Sequence, residues 1–95
     1  MSNIYFMATQ TVENYIKTIY QLSELEGPSI STSSLSGKLK TTSASVTDML
    51  RKLAELELIV YKKYQGVHLT GSGRTLALEI LRKHRLWETF LLTKL

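Results

Sequence analysis

Thr42-Ser-Ala-Ser-Val-Thr-Asp-Met-Leu-Arg-Lys-Leu-Ala-Glu-Leu-Glu-Leu-Ile-Val-Tyr-Lys-Lys-Tyr-Gln-Gly-Val-His-Leu-Thr70 carries the clearest structural pattern in the chain. Val46, Met49, Leu50 and Leu53 fall at i, i+3, i+4 and i+7, the spacing of an amphipathic helix that buries one stripe and leaves Ser45, Thr47, Asp48, Arg51 and Lys52 outside it. Thr42 is placed to cap that helix. Leu58 to Tyr61 and Val67 to Leu69, joined through Lys62, Lys63, Tyr64, Gln65 and Gly66, read as two short strands around a tight turn. A helix followed by a basic hairpin predicts a recognition helix with a wing.

Upstream, Ser31 as a cap with Leu35 and Leu39 at i, i+4 predicts a short helix, and Lys40-Thr41-Thr42 makes the turn into the next one. Two short helices joined by so few residues form a helix-turn-helix pattern. The fold class expected is therefore mainly α with a small β-hairpin, a winged helix-turn-helix over residues 11–75. Thr11 is read as the cap of a first helix of about 15 residues, buried through Val12, Tyr15, Ile16, Ile19, Tyr20 and Leu22 and ended by Gly27-Pro28. Residues 1–10 read as an N-terminal arm or tail. Beyond Thr70 the chain reads as a helix with a break in it, residues 76–95 beginning a linking and dimerisation region. Leu86, Trp87, Phe90, Leu91, Leu92 and Leu95 crowd the last ten residues, a density that predicts burial against another segment or subunit. The absence of a C-cap at Leu95 reads as a fragment, or as a domain whose partner helices lie elsewhere.

With 95 residues and 43% apolar content the chain is one small domain. Its formal charge of +4 is uneven: residues 1–37 hold Lys17 against Glu13, Glu24 and Glu26, a net −2, whereas the eleven basic and five acidic groups of residues 38–95 give +6. That asymmetry points to a polyanion, double-stranded DNA in this context. No cysteine is present, which excludes disulfides and thiolate metal sites and accords with a cytoplasmic location. The N-terminus lacks a signal-peptide pattern, and no run reaches membrane-spanning length, so neither a membrane nor a small-molecule substrate is expected as partner. No nucleophile, base and orienting group occur together, which argues against an enzyme.

Candidate DNA contacts are Thr42, Ser43, Ser45 and Thr47 at the start of the third helix, where backbone N–H groups and the helix dipole attract phosphate and small hydroxyls permit close approach to a groove. Arg51 lies farther along the same helix, and Lys62, Lys63 and Tyr64 crown the wing, with Gly66 available for a positive φ. His84 and Glu88, four apart, can place an imidazole and a carboxylate on one metal ion. A second reading is a winged-helix protein-interaction module that docks through residues 86–95 and never meets DNA.

Three blocks, TVENYIKTIYQL, SVTDMLRKLAELELIVYKKYQGVHLT and LRKHRLWETFL, resemble in order and spacing the N-terminal half of the iron- and manganese-dependent repressors of the diphtheria-toxin-repressor and manganese-transport-regulator type. The resemblance covers about residues 11–95. It implies a homodimer, a metal-dependent transcriptional repressor of palindromic operators in manganese or iron uptake genes, and manganese or iron(II) as cofactor. It further implies metal ligands at His84 and Glu88 and at the first-helix position held here by Asn14. One turn later, where the manganese type has a glutamate ligand, this chain carries Lys17, which does not ligate while charged.

Overall fold

Four helices and one hairpin follow each other in the order α1 (Ser2–Glu26), α2 (Thr32–Leu39), α3 (Ser43–Glu55), β1 (Ile59–Lys62), β2 (Gly66–Leu69) and α4 (Gly71–Lys94). The computed structural model describes the backbone of residues 2–62 and 65–94 and the side chains of residues 10–62 and 65–83. This is the expected winged helix-turn-helix.

Local chemistry accounts for each junction. Gly27, at φ 106°, turns the chain out of α1 and donates its N–H to the Ser23 carbonyl at 3.1 Å. Ser31 caps α2 by accepting the Ser34 N–H at 3.1 Å. Lys40, left-handed at φ 55°, reverses the chain, and the Thr41 N–H closes on the Ser36 carbonyl at 3.1 Å. Thr42 then caps α3, its Oγ1 accepting the Ser45 N–H at 3.2 Å. At the far end Glu57, at φ 60°, forms a Schellman closure: its N–H reaches Ala54 at 3.0 Å and the Leu58 N–H reaches Leu53 at 3.1 Å.

The strands pair antiparallel, Ile59 with Leu69 through Lys62 with Gly66. Ile30 adds a one-residue third rung, exchanging both backbone hydrogen bonds with Val67 at 2.9 Å. Gly66 sits at φ 88°, and a Cβ there would lie 2.6 Å from Ser29 Oγ and 2.8 Å from the Ile30 carbonyl oxygen. Glycine thus serves both the turn and the close seating of the wing on the α1–α2 loop.

One core joins these elements. Ile16 and Ile19 of α1, Ile30, Leu35 of α2, Val46, Leu50 and Leu53 of α3 and Val67 of β2 are all fully buried, with Ala77 and Ile80 of α4 closing the side. Complete burial of a side chain such as Leu50 contributes about 1.5–3 kcal/mol. The stripe expected for α3 is the buried one, with Met49 at its half-exposed edge.

Two expectations are corrected. α1 starts at Ser2 and runs 25 residues, so Thr11 lies inside it and is not its cap, and residues 2–10 are helical where an arm or tail was expected. No glycine or proline precedes Gly27, and Ile4, Ala8 and Val12 carry the helical spacing upstream of Tyr15. α4 has no break; its helix is continuous over 24 residues.

Candidate nucleic-acid interface

Burial of Val46, Leu50 and Leu53 sets the rotation of α3 and thereby selects what faces outward: Ser45, Asp48, Arg51, Lys52 and Glu55 are exposed. Thr42 and Ser43 are exposed at its start, and Thr47 is half-buried beside the stripe. The Thr42 hydroxyl donates to Ser45 Oγ at 2.9 Å while accepting the Ser45 N–H, so these two hydroxyls are held as a pair at the helix entrance. Lys52 lies 4.0 Å from the Asp48 carboxylate, an exposed i, i+4 pair of little energetic weight. Arg51 is in no ion pair with a described residue and extends from the middle of the same face.

The wing is braced from below. Ser29 donates its hydroxyl to the Gln65 carbonyl, and the Gln65 N–H reaches the Lys62 carbonyl at 3.0 Å. Lys62 is exposed at the end of β1. Lys63 and Tyr64, expected at the tip, lie outside the described residues.

Sequence reasoning missed the joint that fixes wing and α3 to α4. Thr70 accepts the Gly73 N–H at 3.1 Å as the cap of α4, donates its hydroxyl to the Glu57 carbonyl at 2.7 Å and donates its N–H to the Leu58 carbonyl at 3.1 Å. Thr70 preceding a helical pattern is the local signal for the cap. Its link to Glu57, thirteen residues away, has none. A cleft of about 560 Å³ was also missed, lined by Tyr20 and Glu24 of α1, Ser29, His68 and Arg74. The hydrogen bond to Glu24 pushes the Tyr20 phenol up from its ordinary value; burial and the Glu24 charge add to this, and Arg74 opposes it.

The expected metal positions are divided between two helices. His84 and Glu88 lie on α4 with side chains outside the described residues. Asn14 is exposed on α1, at the edge of a cleft of about 400 Å³ that it shares with Tyr15, Leu39, Ser45, Asp48 and Met49. Lys17, one turn farther, is half-buried. Between the helices, Lys83 Nζ lies 3.9 Å from the Glu13 carboxylate. Among the described residues no three His, Cys, Asp or Glu side chains gather into a metal-binding group. An imidazole and a carboxylate one turn apart on α4 suit a divalent transition ion. The α1 side offers a neutral amide followed by an ammonium, and does not.

Comparison with known proteins follows the same division. Residues 7–67 match the model of the iron dependent repressor, N-terminal DNA binding domain, and residues 70–95 match that of the iron dependent repressor, metal binding and dimerisation domain. An HTH-type transcriptional regulator MntR from Listeria welshimeri is 38% identical over 85 residues, which are 90% of this chain and 59% of that protein. The chain thus spans less than two thirds of the length of such relatives. ScaR with bound Zn2+ superimposes with a TM-score of 0.75 at 32% identity, covering 87% of this chain and 38% of the other. The manganese regulator SloR does so with 0.71 at 38% identity, covering 86% and 38%. With the fold, the capped helix α3 and both matched segments in agreement, the chain belongs to the iron-dependent repressor family.

Proposed function

We propose that this chain is the DNA-reading part of a transcriptional repressor that binds palindromic operators as a homodimer under control of a divalent metal ion, manganese or iron(II), and acts on metal-uptake genes. The observation that carries the reading is the outward face of α3, where Ser45 and Arg51 stand exposed beside a basic wing in the half of the chain with net charge +6. Its burial pattern leaves that face to a partner, and with Asp48 and Glu55 balancing Arg51 and Lys52 on the helix, the wing lysines Lys62 and Lys63 give the combined surface the positive charge that suits a polyanion.

In this reading α3 lies in the major groove. Arg51 contacts a base edge or phosphate, and Ser43, Ser45 and Thr47 allow the helix to approach closely. Thr42 presents its capped turn to the backbone, and Lys62, Lys63 and Tyr64 engage phosphates flanking the groove. Two copies set the recognition helices about 34 Å apart, one helical turn of duplex. The protein's own part in the metal response is relayed through the Thr70 joint, which ties α4 to the end of α3, so that a change in the angle of α4 is felt by the reading helix. His84 and Glu88 would hold the ion, with the Asn14 amide as a weak donor; when bound, the ion supplies a charge that favours one arrangement of α4.

A randomised duplex library, titrated at two salt concentrations with and without manganese or ferrous ion, tests the proposal. Enrichment of a palindrome, with affinity falling steeply as salt rises, is the expected result. Binding without any sequence enrichment from a protein shown to be dimeric would sink it.

A further inference from the structure

We propose that Lys17 is a built-in cation that opposes a divalent ion at α1, so that this chain binds metal more weakly than its α4 donors alone would allow. The inference deepens the metal-responsive reading above and rests on it. Three observations carry it. Lys17 follows Asn14 by one turn of α1, so an ion held by the Asn14 amide meets an ammonium on the same side of the helix. Lys17 is half-buried, so bulk water screens its charge incompletely. The nearby carboxylate that could offset it, Glu13, is already engaged across the helix interface by Lys83 at 3.9 Å and is itself only 27% exposed at its side chain.

Glu13 and Asp48, the described carboxylates nearest Asn14, are each paired with another lysine, Lys83 at 3.9 Å and Lys52 at 4.0 Å, which leaves Lys17 in no ion pair with a described residue. A cation held at Asn14 is repelled by that ammonium, while the two carboxylates on the α1 side that would attract it are each shared with a lysine.

The test is a calorimetric titration of the metal-free full chain with manganese chloride, comparing wild type with Lys17→Gln, Lys17→Glu and, as a control for overall charge, Lys38→Gln. Lys38 is exposed on α2. Removing the Lys17 charge should tighten manganese binding about tenfold, and installing a carboxylate should tighten it further. Lys38→Gln should stay within about threefold of wild type. Glutamine and glutamate have helix propensities close to lysine's, so both variants keep α1, which a circular dichroism melt verifies. Binding heat that is absent from wild type and present in Lys17→Glu would also support the inference. It is overturned if both Lys17 variants bind within threefold of wild type, or if neither they nor wild type bind at all. The same proteins, titrated onto operator duplex, report on the functional reading separately: failure to bind DNA with the manganese series intact would remove the repressor and leave the role of Lys17 standing.

Discussion

Gly71 and Gly73 stand two residues apart in the first turn of α4, and the structure assigns them opposite responses to the same change. A Cβ built on Gly71 meets nothing within 4 Å, whereas one on Gly73 falls on the Leu58 carbonyl oxygen and lies 3.0 Å from its carbon and 3.2 Å from Leu69 Cδ2. Because the obstacle is backbone, relief requires α4 to lift off the Leu58 carbonyl. That movement strains packing, at about 1–3 kcal/mol. It also endangers the 3.1 Å bond from the Thr70 N–H to the same carbonyl, worth about 0.5–1.5 kcal/mol. Up to about 1 kcal/mol is recovered because alanine favours helix over glycine. Gly73→Ala should therefore destabilise the protein by about 1–3 kcal/mol net. At about 4–8 °C per kcal/mol for a domain of this size, the melting midpoint should fall by roughly 5–25 °C. Gly71→Ala should leave the midpoint unchanged or raise it by a few degrees, about what relief of glycine's chain entropy allows. Thermal melts followed by circular dichroism compare the pair directly. If Gly73→Ala melts at or above Gly71→Ala, the seating of α4 on the end of α3 is wrong, and the proposed relay through Thr70 goes with it.

Leu50→Ala, which removes a fully buried side chain at the centre of the α3 stripe, should cost about 2–5 kcal/mol in a urea titration. Arg51→Ala should lose affinity for the selected operator and reduce the slope of log affinity against log salt by about 1 if Arg51 contacts phosphate, with the melting midpoint unchanged. Burial raises the Tyr15 phenol above 10.0, so the folded protein holds that proton more tightly than the unfolded chain. The associated stability is fully present below pH 10 and declines as pH climbs through the folded value; denaturant titrations from pH 9 upward should show this fall, and Tyr15→Phe should flatten it.

What the sequence discloses about this fold is what repeats or caps locally. The α3 stripe follows from four apolar residues at helical spacing, and Val46, Leu50 and Leu53 are indeed the buried ones. Ser31 and Thr42 do the capping that their side chains allow, because a cap is a contact between residues three apart. Hidden features depend on chain segments that return from a distance. Ile30 completes the sheet with one residue, too short for any alternation, and its partner Val67 is found only once the wing has folded back. Gly73 looks like an ordinary helical glycine until the Leu58 carbonyl is placed against it. Thr11 misled for the converse reason: a good capping residue inside an unbroken helical pattern is overridden when the turns before it carry no breaker.

The candidate site divides along the same line. The outward residues of α3, on which the proposed DNA contacts rest, are legible because they are the complement of its buried stripe, so a correct core determines the outward face without knowledge of the ligand. The expected metal positions have no such dependence. Asn14, Lys17, His84 and Glu88 belong to helices nearly seventy residues apart in sequence, and their meaning turns on how α1 and α4 approach each other. That approach is set by core packing, Ala77 and Ile80 of α4 in one cluster with Tyr15, Ile16 and Ile19 of α1, with the Glu13–Lys83 pair at its edge, and neither charged residue stands out in the sequence. Under the role proposed for Lys17, charge at that junction sets the response to metal, and substituting Lys17 is then more informative than substituting any ligand. Removing a ligand weakens a site under every hypothesis, whereas removing a lysine strengthens it only if the lysine was in the way.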